Sequence, residues 1–170
     1  MPHFGYVNHN PGNIRWNTRD VWQGLAPNPR YVPAWDKTGI GFFRFTAPEW
    51  GMRAVAKTLL TYKSKYGDST LYKLFSRYAP PGDGPNNPLT YAMFVGGQIQ
   101  VDPHEPIDLS DRAVMKAVMA AIFKMETGEQ PPYEDHLYEK ALDLAGFVRE
   151  PRSEEPFPTP GFWKRVLGWL

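Results

Sequence analysis

Proline sets the tightest limits on how this chain can fold. It occurs 18 times in 170 residues, about twice its usual share of roughly 5%, and each one fixes φ and removes a backbone donor. No helix can run through Pro80-Pro81 or Pro131-Pro132, so the chain must be built from short elements joined by defined turns, with a loop-rich periphery. Its length suits one domain with a real hydrophobic core and leaves little room for a second.

Between these breaks, apolar spacing marks the helices. Residues 1–47 carry Gly, Pro and Asn throughout and read as loops plus a short hairpin ending in Phe42-Phe43-Arg44-Phe45. Thr46-Ala47-Pro48-Glu49 has the form of a capping box and predicts a helix start. Met52, Val55, Ala56, Leu59 and Leu60 then share one face, and Gly67 supplies the stop. A shorter helix is expected over 70–77 with Leu71, Leu74 and Phe75 inward. Asn87-Pro88 reads as an N-cap and first helical residue, opening a helix through Val95 that stops at Gly96-Gly97. Asp108-Leu109-Ser110 can cap the next, with Val114, Ala117, Val118, Ala121, Ile122 and Met125 on its buried face and an end at Thr127-Gly128. A last domain helix over 133–144 closes at Gly146.

Residues 150–160 form a proline-spaced linker too polar to pack. In the final segment, 161–170, Phe162, Trp163, Val166, Leu167 and Leu170 can share one side of a short amphipathic helix opposite Lys164 and Arg165. Such a helix suits docking into another protein's groove better than membrane insertion. The expected architecture is therefore mainly α, of α+β type. It has about five helices and a small β-hairpin or irregular N-terminal lobe in a domain over 1–149, then the linker and the docking helix. There is no internal repeat.

Bulk properties narrow the function. With 19 Lys and Arg against 18 Asp and Glu, no overall field draws the protein to nucleic acid or an anionic membrane. The absence of cysteine excludes disulfides and thiolate metal sites, and four scattered histidines make no ligand cluster, so neither metal nor cofactor is expected. Met1-Pro2-His3-Phe4-Gly5 lacks a signal peptide's basic start and apolar run, and no stretch approaches the ~20 apolar residues of a spanning helix. A substrate outside the cytoplasm would require another route of delivery.

Glu126 is the residue whose position suggests chemistry. It follows the apolar face of a helix and precedes a glycine stop and two prolines. The negative end of the helix dipole and the apolar Phe123 and Met125 disfavour its charge, which raises a carboxyl pKa toward what a general acid needs. Taken alone, it can equally be a solvated glutamate at a helix end.

Ala120-Ala121-Ile122-Phe123-Lys124-Met125-Glu126-Thr127-Gly128 resembles the helix of lytic transglycosylases and goose-type lysozymes that ends in Glu-Ser-Gly, where the glutamate is the catalytic acid. Asn8-His9-Asn10-Pro11-Gly12-Asn13-Ile14-Arg15 resembles the Asn-Asn-Pro-Gly-Asn-Ile-Arg opening of a group of lysozyme-like phage virion and prophage proteins. The same group is suggested by Gly51-Met52-Arg53-Ala54, Lys65-Tyr66-Gly67, Arg77-Tyr78-Ala79-Pro80-Pro81, Glu105-Pro106-Ile107-Asp108 and Glu126-Thr127-Gly128-Glu129-Gln130-Pro131. The likeness spans about residues 8–145. Departures are His9 where the group usually has asparagine, residues 82–87 in place of a shorter acidic stretch, and Thr127 after the glutamate.

The resemblance implies cleavage of peptidoglycan glycan strands, as a muramidase or lytic transglycosylase acting from the phage virion, tail or capsid, on the periplasmic cell wall. Compared with autolysin-type glucosaminidases, the Asn-rich segment and Tyr78-Ala79 here precede the glutamate helix, which suggests a circularly permuted lysozyme fold. Glu126 should then face Asn10 and Asn13 across a sugar-sized cleft. One asparagine would shape the loop and the other meet substrate. Tyr78 and Tyr91 could line the groove or simply pack in the core. A glycosidase normally adds a second carboxylate; Asp36 and Asp83 are the candidates, Asp20 a weaker one, and solvated loop aspartate remains an alternative for each. Without one, the substrate's N-acetyl group can serve as nucleophile. His104 reads as a surface loop residue. A non-catalytic particle protein on a lysozyme-like fold and a free endolysin are the competing readings.

Overall fold

The computed structural model describes residues 3–81 and 87–149. Asp83, the 150–160 linker and the proposed docking residues Phe162, Trp163, Val166, Leu167 and Leu170 lie outside the described residues. Six helices and one two-stranded antiparallel sheet make up the rest, a mainly α arrangement of α+β type.

The central helix, α2 (Pro48–Tyr66), buries Met52, Val55, Ala56 and Leu59 on the face its spacing marks out, and Gly67 ends it in the left-handed conformation. The capping box does not form. Thr46 turns its hydroxyl to the Gly24 carbonyl at 3.1 Å, and Glu49, itself buried, takes Lys140 Nζ at 2.6 Å. A partly buried ion pair between α2 and the last helix has displaced a local cap. That last helix, α6 (Asp135–Ala145), packs along α2 and stops at Gly146.

Helix α3 (Leu71–Tyr78) is capped by Thr70 and buries Leu71, Leu74 and Phe75. Helix α4 (Pro88–Ile99) starts at the Asn87 cap but continues through Gly96-Gly97 to a left-handed Gln100. Gly96 serves a close approach instead of a stop. The chain returns over it, and a Cβ there would meet the Val101 carbonyl at 2.4 Å. Helix α5 (Arg112–Thr127) is capped by Asp111, while Asp108 binds Ser110 N and Lys63 Nζ. Its buried face is Met115, Val118, Met119, Ala121, Ile122 and Phe123. Ala117 is exposed and Val114 and Met125 only partly buried, so the true face is rotated from the predicted one. Helix α4 lies between α3 and α5, and these helices share one core containing the fully buried Phe75 and Phe123.

The N-terminal lobe adds α1 (Phe4–Val7), a single turn absent from the sequence reading, and strands β1 (Leu25–Tyr31) and β2 (Phe42–Phe45). Leu25 pairs with Phe45, and Arg30 and Tyr31 pair with Phe43 and Phe42; the register breaks between Leu25 and Arg30. Pro27 and Pro29 fall in that gap and cannot donate to a ladder. Phe43, Phe45 and Ala54 form a second small core under Trp16, Trp22 and Trp50.

Candidate active site

The loop over residues 8–15 is laid across α2 at two glycines. A Cβ on Gly51 would sit 1.9 Å from the His9 carbonyl oxygen, and one on Gly12 would sit 2.4 Å from Val55 Cγ2 and 2.6 Å from the Tyr78 hydroxyl. Side chains at either place would lift the loop off the helix. Asn10, 1% exposed, ties the loop from inside. Its Nδ2 donates to the carbonyls of Ile14 and Phe43, both at 3.0 Å, and its Oδ1 accepts from Ile14 N. Both its amide hydrogens and its oxygen are engaged by backbone in a buried position, so Asn10 shapes the loop from inside. His9 and Asn13 take positive φ, 52° and 49°, a region asparagine tolerates better than most residues.

That left-handed turn delivers Asn13 to the end of α5. Its Nδ2 donates to Glu126 Oε2 at 2.8 Å, while the Tyr91 hydroxyl donates to Oε1 at 2.7 Å. Three separate segments, 113 and 35 residues away from Glu126 in sequence for the two partners, thus converge on one carboxyl. Removal from water raises the Glu126 pKa above the ordinary carboxylate value, and the Tyr91 and Asn13 hydrogen bonds and the charge of Arg15 pull against that rise without cancelling it. Burial and the nearby Glu126 charge push the Tyr78 and Tyr91 hydroxyls well above their usual range, so both act as donors.

Neighbouring residues fix this helix end. Thr127 donates its hydroxyl to the Phe123 carbonyl at 2.8 Å and accepts from the Tyr6 hydroxyl at 2.9 Å. Tyr6 also meets Tyr133 edge-on at 5.5 Å, so α1 is a clasp on the end of α5. The sequence reading missed Tyr6, Gly12 and Gly51. Only Gly51 carried a signal of its own, as a glycine inside a predicted helix; Gly12 reads as part of a Pro-Gly turn.

The other candidates divide. Tyr91 is buried and its ring stacks on Phe75 at 4.3 Å, which leaves no face for a sugar; its contribution is the hydroxyl on Glu126. Tyr78 is half-buried, donates to the Gly12 carbonyl, and lines a cavity of about 280 Å³ with Asn13, Arg15, Asp20 and Arg77. Asp36 is a turn former: its two oxygens accept from Thr38 N and Oγ1, Gly41 N and Arg15 Nη1. These bonds, the Thr38 hydroxyl first, hold its pKa below the usual value, which ill suits a base. Asp20, the weaker candidate, is the one carboxylate among the residues lining the cavity beside Asn13, held by Asn17 Nδ2 at 2.9 Å.

No open cleft separates Asn13 from Glu126, because the two touch; the free space lies to the side, beyond Asn13 and Tyr78. A larger cavity of about 580 Å³ is lined by Arg112, Ala113 and Phe147 near the opposite end of α5 and holds none of these groups. Among the described residues no cluster of three His, Asp or Glu could hold a metal, and no helix is long and apolar enough to cross a membrane. His104 sits in the exposed turn before α5, its ring 5.1 Å from that of Tyr72.

No protein-family model matches the chain. Protein P5 of Pseudoalteromonas phage PM2 is 30% identical to it over 129 residues, which is 75% of this chain and 72% of that protein. At that identity and coverage, the chain belongs to the family of the phage PM2 Protein P5 and is a bacteriophage-associated protein.

Proposed function

We propose that the chain cleaves the glycan strands of peptidoglycan, with Glu126 as the proton donor, as part of the phage particle's opening of the cell wall. The observation that carries this is the Glu126 carboxyl, partly withdrawn from water at the end of α5 and gripped by Tyr91 and Asn13. A general acid must keep its proton until the leaving oxygen takes it, and shielding supplies that. Asn13 can serve both protonation states, because its amide donates to a carboxylate and, turned over, accepts from a carboxylic acid. Its Oδ1 is buried and unpartnered in the present orientation, so the turn breaks only the bond to Glu126 itself.

Proton transfer from Glu126 to the glycosidic oxygen breaks the bond to C1. The substrate's own N-acetyl oxygen can bridge C1 as that bond breaks. Glu126, now a carboxylate, then takes the proton from water as it bonds C1, giving a reducing end, or from the sugar's 6-hydroxyl as that oxygen bonds C1, giving a 1,6-anhydro end. Clearing of purified peptidoglycan in a zymogram by the wild type but not by Glu126→Gln tests the assignment. Equal clearing by both, or none by either, would overturn it, and mass spectrometry of the released muropeptides distinguishes the two ends.

The direct Asn13–Glu126 contact favours a second reading, a non-catalytic particle component, which the same experiment separates. In either reading residues 151–170 are proposed to dock to other particle proteins. Their deletion should abolish particle association and leave clearing intact.

A pH profile follows from the site. An acid catalyst works protonated, so activity falls as pH rises through its pKa. The Tyr91 hydroxyl lowers that pKa, so Tyr91→Phe should move the falling limb of kcat/KM to higher pH, while the loss of the bond lowers the maximum by about tenfold. A limb that stays in place would show that Glu126 does not set it.

A further inference from the structure

The cavity beside Asn13 does not end there. It shares Asn17, Asp20, Thr58, Tyr62 and Arg77 with a second cavity of about 500 Å³ that extends to Arg19, Lys65 and Tyr66. Together they form one groove leading away from the proton donor. Thr58, Tyr62, Lys65 and Tyr66 form its floor, since residues three, four and seven apart share a helix face; at 1.5 Å per residue the stretch from 58 to 65 spans about 10 Å.

Charge along this groove is one-sided. Among the described residues its walls carry Arg15, Arg19, Lys65 and Arg77 against one carboxylate, Asp20, although the whole protein is nearly neutral at +1. Arg15 is paired with Asp36. Arg77 is fixed by Asp68 at 2.8 Å and lies over the Tyr66 ring at 3.7 Å. Arg19 and Lys65, at the far end, are exposed and pair with no carboxylate among the described residues. Arg19 and Lys65 outnumber Asp20 there and sit beside Arg77, which Asp68 and the Tyr66 ring hold in place; they make a receptor for an anion at the end of the groove away from Asn13.

We propose that this groove is a subsite for the carboxylate-bearing peptide arm of the substrate. The inference rests on the peptidoglycan reading: along such a strand the sugars are neutral, and the anionic groups are the carboxylates of the peptides attached beside the scissile linkage. The near end of the groove touches Asn13 and Tyr78, where the sugar would lie, and the far end holds the cations, where the arm would reach. Tyr62, Tyr66 and Trp22 supply apolar walls for its aliphatic part.

Calorimetric titration of Glu126→Gln, which holds substrate without cleaving it, tests this with glycan fragments bearing their peptides and with the same fragments stripped by an amidase, which leaves a lactyl carboxylate at the sugar but no arm to reach the far cations. The peptide-bearing fragments should bind about fivefold more tightly, the size that two partly exposed charge pairs give, and high salt should erode the difference. Adding Arg19→Gln and Lys65→Gln, both surface changes, should reduce the advantage to less than about twofold. Equal binding of the two fragments overturns the subsite while leaving the glycosidase reading in place. Binding of neither, with no clearing by the wild type, overturns both.

Discussion

Replacing Glu126 with glutamine should abolish peptidoglycan clearing, by about 10³-fold or more, while leaving the protein at least as stable at neutral pH. The first half follows from the role: an amide of the same shape has no proton to give, and general acid catalysis alone contributes about 10²–10⁴ in rate. The second half follows from linkage. The Glu126 carboxyl has a raised pKa in the folded protein, so between its unfolded and folded pKa values the native state holds the extra proton, and stability falls as pH rises through that window. Above it the whole loss is present, and glutamine removes it. An unchanged or higher Tm for Glu126→Gln at pH 7, converging with or falling below the wild type at acidic pH, is the expected melting behaviour. A marked Tm drop at neutral pH would mean that the carboxylate is structural, and that lost activity reflects unfolding.

How much of this was legible in the sequence depends on the range of the interaction. Helix α3 with its inward Leu71, Leu74 and Phe75, and the Asn87-Pro88 start of α4, are local effects and were readable from spacing and capping rules, although Thr70 is the α3 cap and not its first helical residue. Where a long-range partner competed, local rules failed. Glu49 left its capping box for Lys140, 91 residues away, and Gly96 stayed helical where the returning chain lies against it. The rotated face of α5 has the same origin: Met115 and Met119 are covered by neighbours that periodicity cannot locate, while Ala117 is not. Glu126 was conspicuous from its place on the helix, but its two hydrogen-bond partners come from elements distant in sequence. Tyr91 read as a possible sugar platform because a tyrosine's exposed edge is invisible in sequence; packing on Phe75 decided it. The pair Asn10 and Asn13, three residues apart, fill different roles because one takes a left-handed backbone and the other is enclosed.

Gly51→Ala should be among the most damaging single-methyl changes in the described residues, costing about 3 kcal/mol of stability and most of the activity. Alanine is ordinarily the better helix residue, by about 1 kcal/mol over glycine, so helix propensity predicts the opposite sign. Contact geometry overrides it: the new Cβ would lie 1.9 Å from the His9 carbonyl oxygen and 3.1 Å from Pro11 Cδ. Main chain cannot swing aside as a flexible side chain can, and overpacking of this kind costs about 1–3 kcal/mol or more. Relief requires the loop to move, and that loop ends in Asn13, the donor to Glu126 Oε2. The displaced amide would release one of the bonds that lower the Glu126 pKa, so whatever activity survives should hold to higher pH than in the wild type. Thermal melting measures the first effect, and the pH profile of the residual clearing measures the second. An alanine protein as stable and active as the wild type would mean that the 8–15 loop does not rest on α2, and that the link from Gly51 through Asn13 to Glu126 is wrong.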